Sequence, residues 1–301
     1  MTSHARNIER PSRTLTKTTD ELPAFIVTGP RSLAVRAGTV IAGQVFETRS
    51  EVKFAPGHEL VAGADYAITI VDGVATAWRA RRIPAGEGAI GGFHFAPGGN
   101  AAENSGGDDQ PAINPCSLWD LHFRPACPDP RGMALVEMSG QKFWADIYLL
   151  GVNHLADGTS RFGVTIADGR DPPVDPRGKP FQRLDYETAR AVLGHHGKGL
   201  LSKAEFRAFA EGVTEGTACG ADPKVTGLDA RRTSRVGGMQ ATGNMWIWGH
   251  DGSPEPLASV LGGYWWYDRV AGSRCAVVYR WPGVSNGVLG ARGRSDHLQL
   301  A

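Results

Sequence analysis

Six aromatic rings crowd the stretch from residue 264 to residue 281: Tyr264, Trp265, Trp266, Tyr267, Tyr279 and Trp281. A third of that window is aromatic, against 8% of the whole chain. Asp268, Arg269, Ser273, Arg274, Arg280, Ser285 and Asn286 are interspersed. Tyr, Trp and Arg bring large contact area at small entropic cost, and they dominate binding hot spots. The chemistry this points to is non-covalent recognition of another macromolecule. The expected contact residues are Trp266, Tyr267, Asp268, Arg269, Tyr279, Arg280, Trp281, Ser285 and Asn286. The rings of Trp266, Tyr267, Tyr279 and Trp281 stand beside charges and turn formers and are expected in solvent. Trp246 and Trp248, at two-residue spacing, and Trp265, after Gly262-Gly263, are expected in the core.

Covalent and metal chemistry find no comparable support. His195 and His196 are adjacent on a helix, about 100° apart, and cannot chelate one ion together. Gly194 to Lys198 is too short for a phosphate loop and lacks a hydroxyl residue after the lysine. Asp168, Asp171 and Asp175 lack calcium-loop spacing and sit in a Pro-rich segment, expected as a solvated loop. No HExxH or local Ser–His–Asp arrangement is present. Cys116, Cys127, Cys219 and Cys275 are widely spaced without a CxxC pair, so neither a disulfide framework nor a zinc site is expected. No catalytic residue and no metal are assigned. The net charge is +1, which does not favour a groove that tracks phosphates, so no nucleic-acid partner is expected. No apolar run reaches the roughly 18 residues of a membrane span, and Met1 to Arg6 carry no apolar signal core.

The elements that must position these residues are short. Glycine is 40 of 301 residues, about twice the usual share, and there are 19 prolines, which argues for many turns. Residues 1–22, with Arg6, Arg10, Arg13 and Lys17 among Ser and Thr, read as a flexible arm. Residues 23–130 read as a β-rich domain. Ala24 to Thr28 stops at Gly29-Pro30, Thr39 to Ala42 and Gln44 to Thr48 flank Gly43, and Tyr66 to Val71 meets Asp72-Gly73 before Val74 to Trp78. An Asp-Gly pair between β-branched runs is a hairpin signal, since both turn residues need positive φ. The helical evidence comes later. Asp185 caps a helix from about Tyr186 to His196 that stops at Gly197. Ser202-Lys203-Ala204-Glu205 is a capping box, with Phe206, Phe209, Ala210 and Val213 on one face behind it. The class is α+β.

Gly197 to Gly212 resembles the helix hairpin of the formylglycine-generating enzyme family, which carries a Gly-Lys-Arg-Leu-Pro-Thr-Glu-Ala-Glu-Trp pattern there. Phe143 to Tyr148 is similar to that family's opening strand, and Gly243 to Trp248 to its Gly-Asn-Val-Trp-Glu-Trp segment. Gly262 to Trp265, Gly272 to Arg274 and Gly290 to Gly293 follow its C-terminal order. The resemblance spans about residue 131 to the end and implies a C-type lectin-like domain over residues 131–301. Phage receptor-binding proteins of the major tropism determinant type, variable proteins of diversity-generating retroelements, share this fold. Gly290 to Leu298, Gly91 to His94 and Cys127 to Gly132 resemble them more than the enzymes. The resemblance also implies that Arg274 and Arg292 are structural, and that the arm and β-rich domain attach to the virion and trimerise.

Two departures separate the chain from the enzymes. Their paired copper-binding cysteines are represented by Cys275 alone, and soft thiolate pairs are what hold Cu(I). Their calcium-binding carboxylate in the Gly-Asn-Val-Trp-Glu-Trp segment is replaced by Ile247, and calcium needs six or more oxygens. Calcium is therefore doubtful and no cofactor is expected. The resemblance implies a non-enzymatic virion protein at a tail tip or tail fibre, which binds a host surface receptor, glycan or protein. It would form a homotrimer, contact other tail or baseplate proteins, and not insert in membranes. The rivals are a structural tail component without receptor binding and an oxidase of the formylglycine-generating type.

Overall fold

The computed structural model describes residues 14–80, 88–251, 258–278 and 281–299. The first half of the chain supplies β1 (Leu15–Thr16), β2 (Phe25–Gly29), β3 (Ser32–Val35), β4 (Thr39–Ile41), β5 (Gln44–Phe46), β6 (Ser50–Glu51), β7 (Lys53–Phe54), β8 (Ala64–Val71), β9 (Val74–Arg79), β10 (Gly91–Ala96), β11 (Ala112–Ile113) and β12 (Trp119–Asp120). They form two small sheets, in the orders β1-β4-β5 and β2-β3-β6, and a larger one, β11-β10-β8-β9-β7, with β12 also on β10. The β8–β9 hairpin is closed by Asp72 at φ 49° and Gly73 at φ 77°, the two positive values that a tight hairpin turn demands. Gly91 and Gly92 sit where the sheet leaves no room. A Cβ on Gly92 would lie 2.3 Å from the Tyr66 carbonyl oxygen, and one on Gly91 2.3 Å from the Phe25 ring.

The second half supplies β13 (Met133–Met138), β14 (Gln141–Asp146), β15 (Leu201–Ser202), β16 (Trp246–His250), β17 (Ala258–Leu261), β18 (Ala276–Val278), β19 (Leu289–Gly290) and β20 (Arg294–Asp296), with helices α1 (His154–Asp157), α2 (Tyr186–Gly194) and α3 (Lys203–Phe209). β14 lies between β13 and β20, and β15-β16-β17-β18 form a second sheet with β19 also on β16. Asp185 accepts a hydrogen bond from the Thr188 N–H at the start of α2. The capping box at α3 is complete, with Ser202 taking the Glu205 N–H and Glu205 taking the Ser202 N–H. Each such cap removes orphan donors, and a typical cap contributes about 1 kcal/mol. Phe206, Phe209, Ala210 and Val213 are all buried.

One apolar cluster is drawn from residues 15–118, including Phe25, Ile41 and a stacked Tyr66–Phe93 pair at 5.1 Å. Two others come from residues 136–291. Between them, Trp119 and Phe123 pack with Met133 and Trp144, and Ala96 packs with Ala134, Tyr148 and Met239. His94 crosses the same seam, with Nδ1 2.9 Å from the Asp65 carboxylate and Nε2 2.9 Å from the Tyr148 hydroxyl.

Several sequence expectations need correction. The flexible arm expected to run to residue 22 is part of the fold from Thr14 onward. β1 pairs with β4, and the buried Lys17 ammonium meets the buried Asp120 carboxylate at 3.1 Å. The partners of Leu15 and Lys17 lie far along the chain, where local composition does not reveal them. Residues 1–13, with Arg6, Arg10 and Arg13, lie outside the described residues. Asp168, placed in a solvated loop, is buried and accepts backbone N–H groups of Arg170 and Asp171. Arg292 is structural, donating to the carbonyls of Asp146, Ile147, Met239 and Gln240, but Arg274 is exposed.

Candidate functional site

The aromatic stretch is carried by β17 and β18 and the loops that leave them. Gly262 (φ 91°) and Gly263 (φ 80°) turn the chain out of β17 with the positive angles that side-chain-bearing residues resist. The following loop is tied down at several points. The Asp268 carboxylate accepts from the Ala218 N–H at 2.9 Å, Ala271 N–H donates to the Tyr267 carbonyl at 3.0 Å, and the Glu215 carboxylate takes the Ser273 N–H at 3.1 Å. Rings form a continuous series outward from β16. Trp246 stacks on Tyr264 at 6.4 Å, Tyr264 on Tyr267 at 5.5 Å, and Trp265 meets Tyr264 at 5.8 Å and Trp266 at 6.0 Å, both edge-on. Aromatic pairs in such geometries add about 0.5–1.5 kcal/mol beyond burial. Trp248 is fully buried, whereas Trp246 and Trp265, expected in the core, are only half-buried because they are the inner members of this series.

Trp266 is 71% exposed and Trp281 70%. Tyr267, Val270, Val277 and Val278 are also exposed, so among the described residues of 266–281 six large apolar side chains face water. Isolated exposed hydrophobics are ordinary, whereas such a concentration is uncommon on a protein surface. Trp281 belongs to a second loop, beyond the Val278 end of β18, which α2 and its approach hold in place. Tyr186 N–H donates to the Pro282 carbonyl at 3.0 Å, and Leu184 N–H to the Ser285 hydroxyl at 2.9 Å. Gly169 N–H donates to the Asn286 carbonyl, and the Asn286 side chain accepts from the Val288 N–H at 3.1 Å. Asp268, Ser285 and Asn286 thus spend acceptor capacity on shaping their own loops, while Arg269 is exposed. Tyr279 and Arg280 lie outside the described residues.

A hydroxyl, an imidazole and a carboxylate do line up elsewhere, at Tyr148, His94 and Asp65, an arrangement that local sequence spacing concealed. It is not a nucleophilic site. Burial, reinforced by Asp65, holds the Tyr148 hydroxyl well above its usual range, and the ring is sealed from solvent. The four cysteines are unpaired. Three backbone hydrogen bonds link Cys219 through Gly243 and Gly262 to Cys275, and neither thiol is in a disulfide. Burial raises both thiols, so neither is a ready thiolate at neutral pH. Ile247 is fully buried in apolar packing and its side chain offers no oxygen ligand. Among the described residues no three His, Cys, Asp or Glu side chains gather as metal ligands.

Comparison with known proteins agrees over nearly the whole chain. A family profile described as the Mtd second domain matches residues 23–120. The tail fiber receptor-binding protein of Bordetella phage BPP-1 is 39% identical over 320 aligned positions, covering 92% of this chain and 83% of that protein. Among solved structures, the Major Tropism Determinant M1 variant superposes with a TM-score of 0.87 at 38% identity, covering 96% of this chain and 87% of the other. The P3c variant gives 0.86, with the same identity and coverage.

Proposed function

This chain belongs to the major tropism determinant family, and we propose that it is the receptor-binding protein of a phage tail fibre, attaching the particle to its bacterial host without covalent chemistry. The observation that carries this reading is the exposure of Trp266 and Trp281 on loops fastened to a buried frame. Rings held rigidly in water have already lost most of their conformational freedom, so covering them with a partner releases hydration at little further entropic cost. The proposed contact set is Trp266, Tyr267, Asp268, Arg269, Tyr279, Arg280, Trp281, Ser285 and Asn286. Within it Asp268, Ser285 and Asn286 act chiefly by setting loop shape, since their side chains already accept backbone N–H groups.

In this reading residues 131–301 form the C-type lectin-like head, of the type found in formylglycine-generating enzymes, and residues 23–130 the β-rich part that docks on other tail proteins. Three copies assemble, and several heads on one particle raise avidity without any new contact. The head works as a binder and not as an enzyme, without calcium or copper. The buried Ile247 and the unpaired thiols of Cys219 and Cys275, both raised by burial, support that choice. Adsorption to a permissive host tests the proposal, with purified protein carrying Trp266→Ala, Trp281→Ala or both. Each substitution is expected to weaken cell binding, and the pair to abolish it. Undiminished binding by the folded double variant would remove the proposed surface.

A further inference from the structure

His154 opens α1 inside the protein, with both ring nitrogens buried and without a hydrogen-bond partner. Its ring meets that of His196 edge-on at 5.4 Å, and the buried Nε2 of His196 is also unpartnered. His195 packs on the other side of His196 at 4.9 Å. Three imidazole nitrogens without partners in one corner are unusual, because buried polar atoms are nearly always satisfied. The pair is neutral for a reason visible around it. From the turn after α2, Lys198 brings a fully buried ammonium, 2.7 Å from the Asp146 carboxylate of β14. Arg161 follows α1, its guanidinium 3.2 Å from Asp157. The segment before β13 brings Asp129, held tightly by Arg131. An alanine methyl at Gly158, the left-handed stop of α1, would lie 3.6 Å from the His196 ring and 3.9 Å from Asp129. Asp146, Asp157 and Asp129 each already have a cationic partner, so no free carboxylate compensates a new positive charge here. Burial, then Lys198, His196 and Arg161, hold His154 well below the usual imidazole range. Burial, His195 and Lys198 lower His196, outweighing the backbone groups of Leu155 and His154 that favour its protonated form.

We propose that this imidazole pair is an acid latch: protonation separates α1 from the carboxyl end of α2 and loosens the loop that presents Trp281. The connection runs through α2 itself. The turn that follows its last residue carries His195 and His196, while its first residue and the residues before it hold Pro282 and Ser285. A charge forced into the corner is relieved by moving α2 outward, and the Trp281 loop loses two of its fastenings. Receptor attachment would thereby be confined to neutral and alkaline surroundings. That last clause rests on the receptor-binding reading; the latch itself does not.

Hydrogen–deuterium exchange of the full chain at pH 7.5 and pH 5.5, corrected for intrinsic rates, tests the latch without any receptor. The expected result is a joint loss of protection in residues 153–162, 185–198 and 281–289 as pH falls through the ordinary imidazole range near ~6.5. His154→Phe, which keeps an aromatic ring but cannot take a proton, is expected to abolish that joint loss. His297→Phe is expected to leave it intact, although burial also lowers His297, because that ring lies against Trp144 and Phe123 away from α2. If His154→Phe fails to reach native protection at pH 7.5, His196→Phe replaces it and is expected to shrink the acid loss. Wild-type protection unchanged at pH 5.5, or an acid loss in folded His154→Phe or His196→Phe identical to that of the wild type, would overturn the proposal. Host-cell binding by the tryptophan variants at pH 7.5 fails or succeeds independently of these outcomes.

Discussion

Asp146→Asn removes a carboxylate on which two buried cations depend. The Asp146–Lys198 pair is fully buried at 2.7 Å, and Asp146 also accepts the Gly293 N–H at 3.1 Å. Arg292 stands beside it with no carboxylate hydrogen bond of its own, only carbonyls, and burial pushes that guanidinium down to about 9. Lys198 would lose its charge on burial, yet Asp146 holds it above the usual lysine range. Breaking a buried pair by removing one partner costs about 3–5 kcal/mol. For a chain of this size that corresponds to roughly 6–10 °C in Tm, at ~2 °C per kcal/mol. Lys198→Met should cost less than Asp146→Asn, since Arg292 still compensates the remaining carboxylate. Asp146→Asn/Lys198→Met should be more stable than Asp146→Asn alone, because the uncompensated ammonium is gone. Thermal unfolding of the three proteins at pH 7.5 decides it. A Lys198→Met loss larger than that of Asp146→Asn, or additive losses in the double variant, would refute the electrostatic account.

Trp266→Ala and Trp281→Ala, despite their size, should change unfolding free energy by only about 0.5 kcal/mol, as exposed positions do, and urea titration checks this. Covering a Trp at hot-spot strength contributes about 2 kcal/mol or more, so each substitution should weaken receptor binding roughly 30-fold or more in an equilibrium cell-binding assay. Gly92→Ala should fail to give a native fold, since its methyl would meet the Tyr66 carbonyl and the Trp119 ring, and soluble yield with circular dichroism reports it. Ser202→Ala should cost about 1 kcal/mol by removing half of the capping box, measured by chemical denaturation. Burial pushes the Cys116 thiol up to about 11, so the folded state retains that proton more tightly than the unfolded chain. Stability should therefore fall as pH rises above the ordinary thiol range, and Cys116 should resist alkylation at pH 8.5 until the protein is unfolded.

Much of the local architecture is legible in the chain itself, because its signals act over a few residues. Asp72-Gly73 closes a hairpin through its own backbone preferences, Asp185 and Ser202 cap helices through side chains that reach only the next turn, and the ring-rich stretch near the carboxyl end is visible as composition. Tertiary structure decided what depends on partners far away in sequence. It placed Lys17 on Asp120, buried Asp168 under its own loop, left Arg274 in solvent, and divided the aromatic stretch between a stacked series at Trp246 and a separate loop at Trp281. It also committed Asp268, Ser285 and Asn286 to holding loops, and brought His154 of α1 against His196 in the turn after α2. Propensities and caps are properties of short segments, whereas burial and pairing belong to the packed whole, where a side chain's neighbours are set by the closure of sheets whose strands come from opposite ends of the chain.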